Sequence, residues 1–144
     1  MILLLIVFDQ LTKAYASTTK PSFSIIGDFL RIQYIENTGT IFGLFEGANY
    51  VFMVLAIILC IFISIYMKKN LERKSTKSKL LMLVLTGGIG NLIDRIFRGF
   101  VVDFISLKYV GVFNLSDSYI VIGVILLLII EIKEWMREKE LSNK

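Results

Sequence analysis

The sequence predicts an all-α membrane protein with four transmembrane helices and a small extracytoplasmic β-sheet segment between helices 1 and 2. Three observations predict it. Of 144 residues, 56% are hydrophobic, against about 45–50% in soluble domains, and the mean hydropathy is +0.72. The excess falls in blocks about one membrane span long, roughly 17–25 residues each. The basic residues Lys68, Lys69, Arg73, Lys74, Lys77 and Lys79 crowd into the connection between two such blocks, opposed only by Glu72. Four spans and their connections use the whole chain, so a single domain over 1–144 is expected.

The first span covers approximately 1–16. It opens with the apolar run Met1 to Phe8, then carries Asp9, Thr12 and Lys13 before Ala14-Tyr15-Ala16. That last tripeptide has the form of a signal-peptide cleavage site. The basic start of such a peptide is missing, however, and Asp9 breaks the apolar run, so a retained helix is expected. Residues 17–49 are mixed and hold the only proline, Pro21. Leu30, Ile32 and Tyr34 alternate with Arg31 and Gln33, the two-residue period of a half-buried strand. Asn37-Thr38-Gly39 has turn chemistry. A small sheet resting on the membrane surface follows from these signs.

The second span, 50–67, is nearly uninterrupted. The third, 80–97, carries Asn91, Asp94 and Arg95 in its second half. Arg98 to Leu115 reads as a loop with a mostly apolar stretch, and the fourth span covers 118–134. A basic loop between spans is cytoplasmic under the positive-inside rule, rather than a nucleic-acid patch. Both termini are then cytoplasmic, and both long connections lie outside.

Composition removes several chemistries. The chain has no histidine, so Ser-His and Cys-His catalysis and His-ligated metals are excluded. The only cysteine, Cys60, sits among aliphatic residues mid-span and reads as packing.

Polar residues in a span are costly and mark function by default. With the topology above, Asp9, Lys13, Asn91, Asp94, Arg95, Asp103, Asn114 and Asp117 all fall near one depth, at the outer ends of their helices. Asn91, Asp94, Arg95 and Arg98 share one helix face. Gly87, Gly88 and Gly90 let a neighbouring helix approach closely. Asp103 and Asp117 have apolar flanks and no basic residue within three positions. Two such carboxylates brought together share a proton and split their apparent pKa values, as an acid/base pair requires. From spacing alone, two solvated surface aspartates explain the pattern equally.

At these residues the chain resembles lipoprotein signal peptidase, also called signal peptidase II. Five blocks carry the resemblance, in order and over nearly the whole chain: Asp9-Gln10-Leu11-Thr12-Lys13; Asn37-Thr38-Gly39-Thr40-Ile41-Phe42-Gly43; Gly87 to Arg95; Val101-Val102-Asp103-Phe104; and Phe113 to Ser118. The resemblance implies an aspartic endopeptidase of the bacterial cytoplasmic membrane, with its active site at the outer face. Its catalytic pair would be Asp103 and Asp117. Substrate would be held by Asn37, Gly39, Asn91, Arg95 and Asn114, with Asp9, Lys13 and Asp94 in support. The implied substrate is a diacylglyceryl-modified prolipoprotein, cut just before its lipidated cysteine, with membrane lipids around it. A globomycin-type inhibitor, a monomer, and no metal, cofactor or nucleic acid are expected. Thr40 and Ser116 stand where the family usually has alanine, and Ser116 could add a hydrogen bond to Asp117.

Two other readings compete. A Ser–Lys peptidase would pair Lys13 with Ser17 or Ser22, but a lysine near a helix end reaches water and keeps its charge. A small membrane transporter or assembly subunit would place polar groups near mid-membrane, whereas here they gather at one face.

Overall fold

A computed structural model describes residues 2–39, 48–72 and 74–142. Thr40, the rest of the second block after Gly39, and Arg73 of the basic loop lie outside the described residues. The elements run α1 (Ile2–Thr19), β1 (Ser22–Ile26), β2 (Leu30–Asn37), α2 (Asn49–Asn70), α3 (Thr76–Phe97), β3 (Val101–Leu107), β4 (Gly111–Phe113) and α4 (Leu115–Ser142). Among the described residues, three helices are long and apolar enough to cross a membrane: α2, α3 and α4.

α2 is apolar on every side and almost wholly exposed. A helix of that kind suits lipid, not a water-facing surface. α3 is the central helix and touches α1, α2 and α4. Ser75 caps it, its hydroxyl accepting from the Ser78 N–H at 3.1 Å, which satisfies one orphan donor of the first turn. Glycine sets the spacing between α3 and α4. A Cβ on Gly87 would lie 2.2 Å from the Ser116 carbonyl oxygen, and one on Gly90 would lie 2.1 Å from Ser116 Oγ. The expected close approach is therefore real, and its partner is the start of α4. Gly88 faces the other way, towards Cys60 of α2.

The sheet is larger than the sequence led us to expect. Its four antiparallel strands run in the order β1-β2-β3-β4. The first two come from the α1–α2 connection as expected, but the other two come from the α3–α4 connection, which reads as a loop in the sequence. Ile35 stands opposite Asp103 and Asn37 opposite Val101, with an irregularity between Ile32 and Ile35. This register is what carries Asp103 from the end of α3 back into the helix bundle.

The buried core is small and mostly polar. Ala16, Ile63, Val84, Val101 and Val102 are its apolar members, while Asp9, Lys13, Asn91, Asp94, Asp103, Asn114 and Ser116 are all buried with them. The fold thus encloses the charged groups Asp9, Lys13, Asp94 and Asp103 and turns many large apolar side chains outward, as a bilayer environment demands.

Candidate active site

Two connected polar layers occupy the place where α1, α3, β3 and the start of α4 meet. The inner layer is built on Lys13. Its Nζ lies 2.9 Å from Asp9 Oδ2 and 3.1 Å from Asp94 Oδ2, and donates to Asn91 Oδ1 at 3.0 Å. The ammonium therefore has three oxygen atoms within 3.1 Å, Asn91 Oδ1 as a hydrogen-bond acceptor and the two carboxylates as ion-pair partners. Asp9 Oδ1 accepts the Ser116 N–H at 2.9 Å, which fixes the first turn of α4 against α1. Asp94 Oδ2 accepts the Val102 N–H at 3.1 Å, which fixes the start of β3 against α3. Arg98 Nε lies 3.3 Å from Asp94 Oδ1, an ion pair without hydrogen-bond alignment.

The outer layer holds the paired carboxylates. Asp103 accepts from Asn37 Nδ2 at 2.8 Å on one oxygen and from Asn114 Nδ2 at 2.7 Å on the other. Asp117 accepts from Asn91 Nδ2 at 2.7 Å and from the Asn114 N–H at 3.1 Å. Asn114 also donates to Asn91 Oδ1 at 3.1 Å, and its own Oδ1 accepts the Asp117 N–H at 3.0 Å. One asparagine therefore ties both aspartates together, and Asn91 ties that pair to Lys13. Burial pushes the Asp103 carboxyl up to about 6. Hydrogen bonds from Asn37 and Asn114 oppose that rise, and the negative charge of Asp117 adds to it.

Asp9, Lys13, Asn37, Asn91, Asp94, Asp103, Asn114 and Asp117 join in this cluster, with Gly39 and Arg95 beside it. Gly39 closes an Asx-type turn: its N–H donates to Asn37 Oδ1 at 2.9 Å, and its φ is +109°. A Cβ there would meet the Phe52 ring at 2.7 Å, so this glycine serves both the turn and the packing. Arg95 departs from its neighbour Asp94. It points to the α2 side, its guanidinium 5.9 Å from the Phe52 ring centroid, and the basic partners of Asp94 are Lys13 and Arg98. Adjacent helix positions point about 100° apart, so sequence adjacency does not make an ion pair.

The hydroxyl of Ser116 bonds to no group and leaves Asp117 untouched; its backbone N–H does the work, on Asp9. Lys13 is fully buried and spent on two carboxylates, which removes it as a base for Ser17 or Ser22. Gln10 was missed: its Nε2 donates to the Gly90 carbonyl at 3.1 Å and lies 3.2 Å from Asp9 Oδ2. Its place next to Asp9 in the first block was the only available sign.

A groove of about 310 Å³ runs from Asp117 between α2, α3 and α4. Asn91, Arg95 and Asp117 close its outer end, and residues from Phe52 to Ile63 form one wall. From Phe52 to Ile63 the helix rises about 16 Å. A second, apolar cleft lies on the other side of Asp117, between β3, β4 and α4. The arrangement therefore offers two hydrogen-bonded carboxylates, the buried Asp103 with a raised pKa and Asp117 on the wall of an apolar groove. It can activate water and deliver a proton. Among the described residues no group of side chains has metal-ligand character.

The comparisons with known proteins agree with one another. The family model for signal peptidase (SPase) II matches residues 1–133. The lipoprotein signal peptidase of Caldicellulosiruptor bescii is 39% identical over 140 residues, covering 96% of this chain and 92% of that protein. The one from Streptococcus pneumoniae is 36% identical, covering 93% and 91%. A solved bacterial membrane enzyme superposes with a TM-score of 0.85 at 34% identity, covering 96% of this chain and 89% of that one.

Proposed function

The chain belongs to the signal peptidase II family, and from that premise we propose that it removes the signal peptide from diacylglyceryl-modified prolipoproteins, using Asp103 and Asp117 as its acid/base pair. The observation that carries this reading is the outer polar layer. Two carboxylates from different elements, β3 and α4, are joined through Asn114, and one of them, Asp117, lines an apolar groove.

Asp117 takes a proton from water, whose oxygen attacks the scissile carbonyl carbon. Asp103, carrying its proton, gives it to the carbonyl oxygen. The tetrahedral intermediate then collapses, the C–N bond breaks, and the amine nitrogen takes the proton held by Asp117 as the carbonyl proton returns to Asp103. Raised basicity suits Asp103 to the acid role, which leaves Asp117 as the base. Arg95 at the groove mouth is placed to hold substrate carbonyls. Asn37, Asn91 and Asn114 combine that task with aiming the carboxylates.

In this reading α1 is the fourth membrane crossing. Its buried Asp9 and Lys13 lower its hydropathy, and they are neutralised inside the bundle. The site then lies at the outer face of a bacterial cytoplasmic membrane, with both termini inside. Lys74 and Ser22 are both exposed and report this directly. In a Cys60→Ala background, Lys74→Cys should resist a membrane-impermeant thiol reagent in intact cells, while Ser22→Cys should react. The reverse pattern would overturn the orientation.

A site at interface depth lets acyl chains stay in the bilayer while the peptide reaches the pair. Purified enzyme should therefore cleave a lipidated precursor at least roughly tenfold faster than the same precursor without its diacylglyceryl group, since about 1.4 kcal/mol of lost binding is tenfold. Equal rates would argue against the lipoprotein substrate. A globomycin-type inhibitor should stop the reaction, and the enzyme should act as a monomer.

A further inference from the structure

The far end of the sheet carries a surface that the reaction does not use. The β1–β2 and β3–β4 turns lie side by side there: Leu30 pairs with Leu107, and the Lys108 N–H donates to the Phe29 carbonyl at 3.1 Å. Ile25 and Ile26 at the end of β1 and Phe29, Tyr109 and Val110 on these two turns are each more than half exposed, Tyr109 at 82%. A cluster of large apolar side chains in two turns is out of place in water, where turns are polar.

Its height relative to the helices says what covers it. Val110 shares an apolar cleft with Val121 and Ile122 of α4. Those two positions lie in the apolar run of α4, about 6 Å deeper along the helix than Asp117. A turn that reaches them stands beside the lipid-facing wall of a spanning helix. The opposite flank agrees: Phe23, Ile32 and Phe104 line a cleft with Phe8, Leu11 and Tyr15 of α1. The polar groups at the tip fit the headgroup layer. Lys108 and Tyr109 form the amphipathic pair favoured at an interface, and Asp28, the only acid in the two turns, lies 3.8 Å from Arg31.

We propose that the paired turns form a wedge that inserts into the acyl boundary of the outer leaflet, so that lipid, not a protein partner, covers this end of the sheet. The wedge gives the sheet a second support away from the helices, and β3 runs from it straight to Asp103.

Tryptophan placed in the turns tests this. Trp135 is the only native tryptophan, so the background is Trp135→Phe. Phe29→Trp and Tyr109→Trp are made separately and reconstituted in vesicles of dioleoylphosphatidylcholine or its dibrominated analogue. Both reporters should emit to the blue of free tryptophan, lose at least half their intensity in the brominated lipid, and resist quenching by aqueous acrylamide. Both substitutions are aromatic for aromatic, and cleavage activity confirms that each protein is folded. A reporter in either turn that acrylamide quenches and brominated lipid does not would overturn the wedge, whatever the protein's substrate.

Discussion

Replacing either Asp103 or Asp117 by asparagine should leave a folded protein that no longer turns over. Each change removes one titrating carboxyl from a pair whose members have different tasks. A positioned acid or base contributes typically about 10²–10⁴-fold, so kcat should fall by at least roughly 10²-fold in each variant. The double variant should be little worse than either single one, because the pair works as a unit. Neither substitution is free of structural cost. Both oxygens of Asp103 accept hydrogen bonds, from Asn37 and Asn114, so an amide NH₂ there opposes one donor. That conflict costs about 1–3 kcal/mol and shows in melting, not in chemistry. Single-turnover cleavage by purified, folded variants separates the two effects. Near-parent rates in either variant would take that residue out of the mechanism and reopen Asp94 or Asp9 in its place.

The pH dependence follows from the same pair, with its sign fixed by burial. Asp103 in the free enzyme is pushed up to about 6, so it holds its proton below that pH and loses it above. If Asp103 is the acid, kcat/KM should begin to fall as pH rises past about 6. Bound substrate expels water and disfavours the carboxylate further, so the basic limb of kcat should lie at higher pH than that of kcat/KM. At low pH the base is protonated and both quantities fall. These limbs belong to the pair rather than to one residue. Superimposable basic limbs would mean that substrate does not desolvate Asp103.

Much of this site was legible because a bilayer makes polar residues conspicuous. Asp9, Lys13, Asn91 and Asp94 stood out against their apolar surroundings, and helix periodicity put Asp94 and Arg98 on one face, although Arg95, placed with them, turns to α2. What stayed hidden was pairing. Val101 to Ile105 reads as an apolar run with one aspartate and lacks the alternation of a half-buried strand, because its first three residues are buried. Only the register against β2 makes it a strand, and register is a long-range property. The partners of Asp94 were hidden for the same reason. Lys13 lies 81 positions away in sequence, and no local rule links it to α3. The asparagines show a third limit. Sequence marks them as polar and costly, but their aim at the carboxylates appears only once β2, α3 and α4 are assembled.

The second large effect should come from Lys13, which touches neither carboxylate of the pair. It is fully buried between Asp9 and Asp94, themselves fully buried. Lys13→Met keeps most of the volume and removes the charge, taking from Asp9 its ion-pair partner and leaving Asp94 with the Arg98 guanidinium. Removing one partner of a buried ion pair costs about 3–5 kcal/mol, a large share of a typical stability of about 5–15 kcal/mol. Lys13→Met should therefore yield much less folded protein, with a clearly lower melting temperature in detergent. Adding Asp9→Asn should recover part of that loss. It removes one unpaired charge while an amide oxygen can still accept the Ser116 N–H. Lys13→Arg should not substitute well, because a planar fork cannot aim its protons at three acceptors arranged around a point. Activity should fall too, since Lys13 holds Asn91 Oδ1 and the same amide holds Asp117. A Lys13→Met protein that melts with the parent would show that the inner layer is not what holds α1, α3 and α4 together. If it melted with the parent yet lost kcat, Lys13 would act on the site through Asn91 alone.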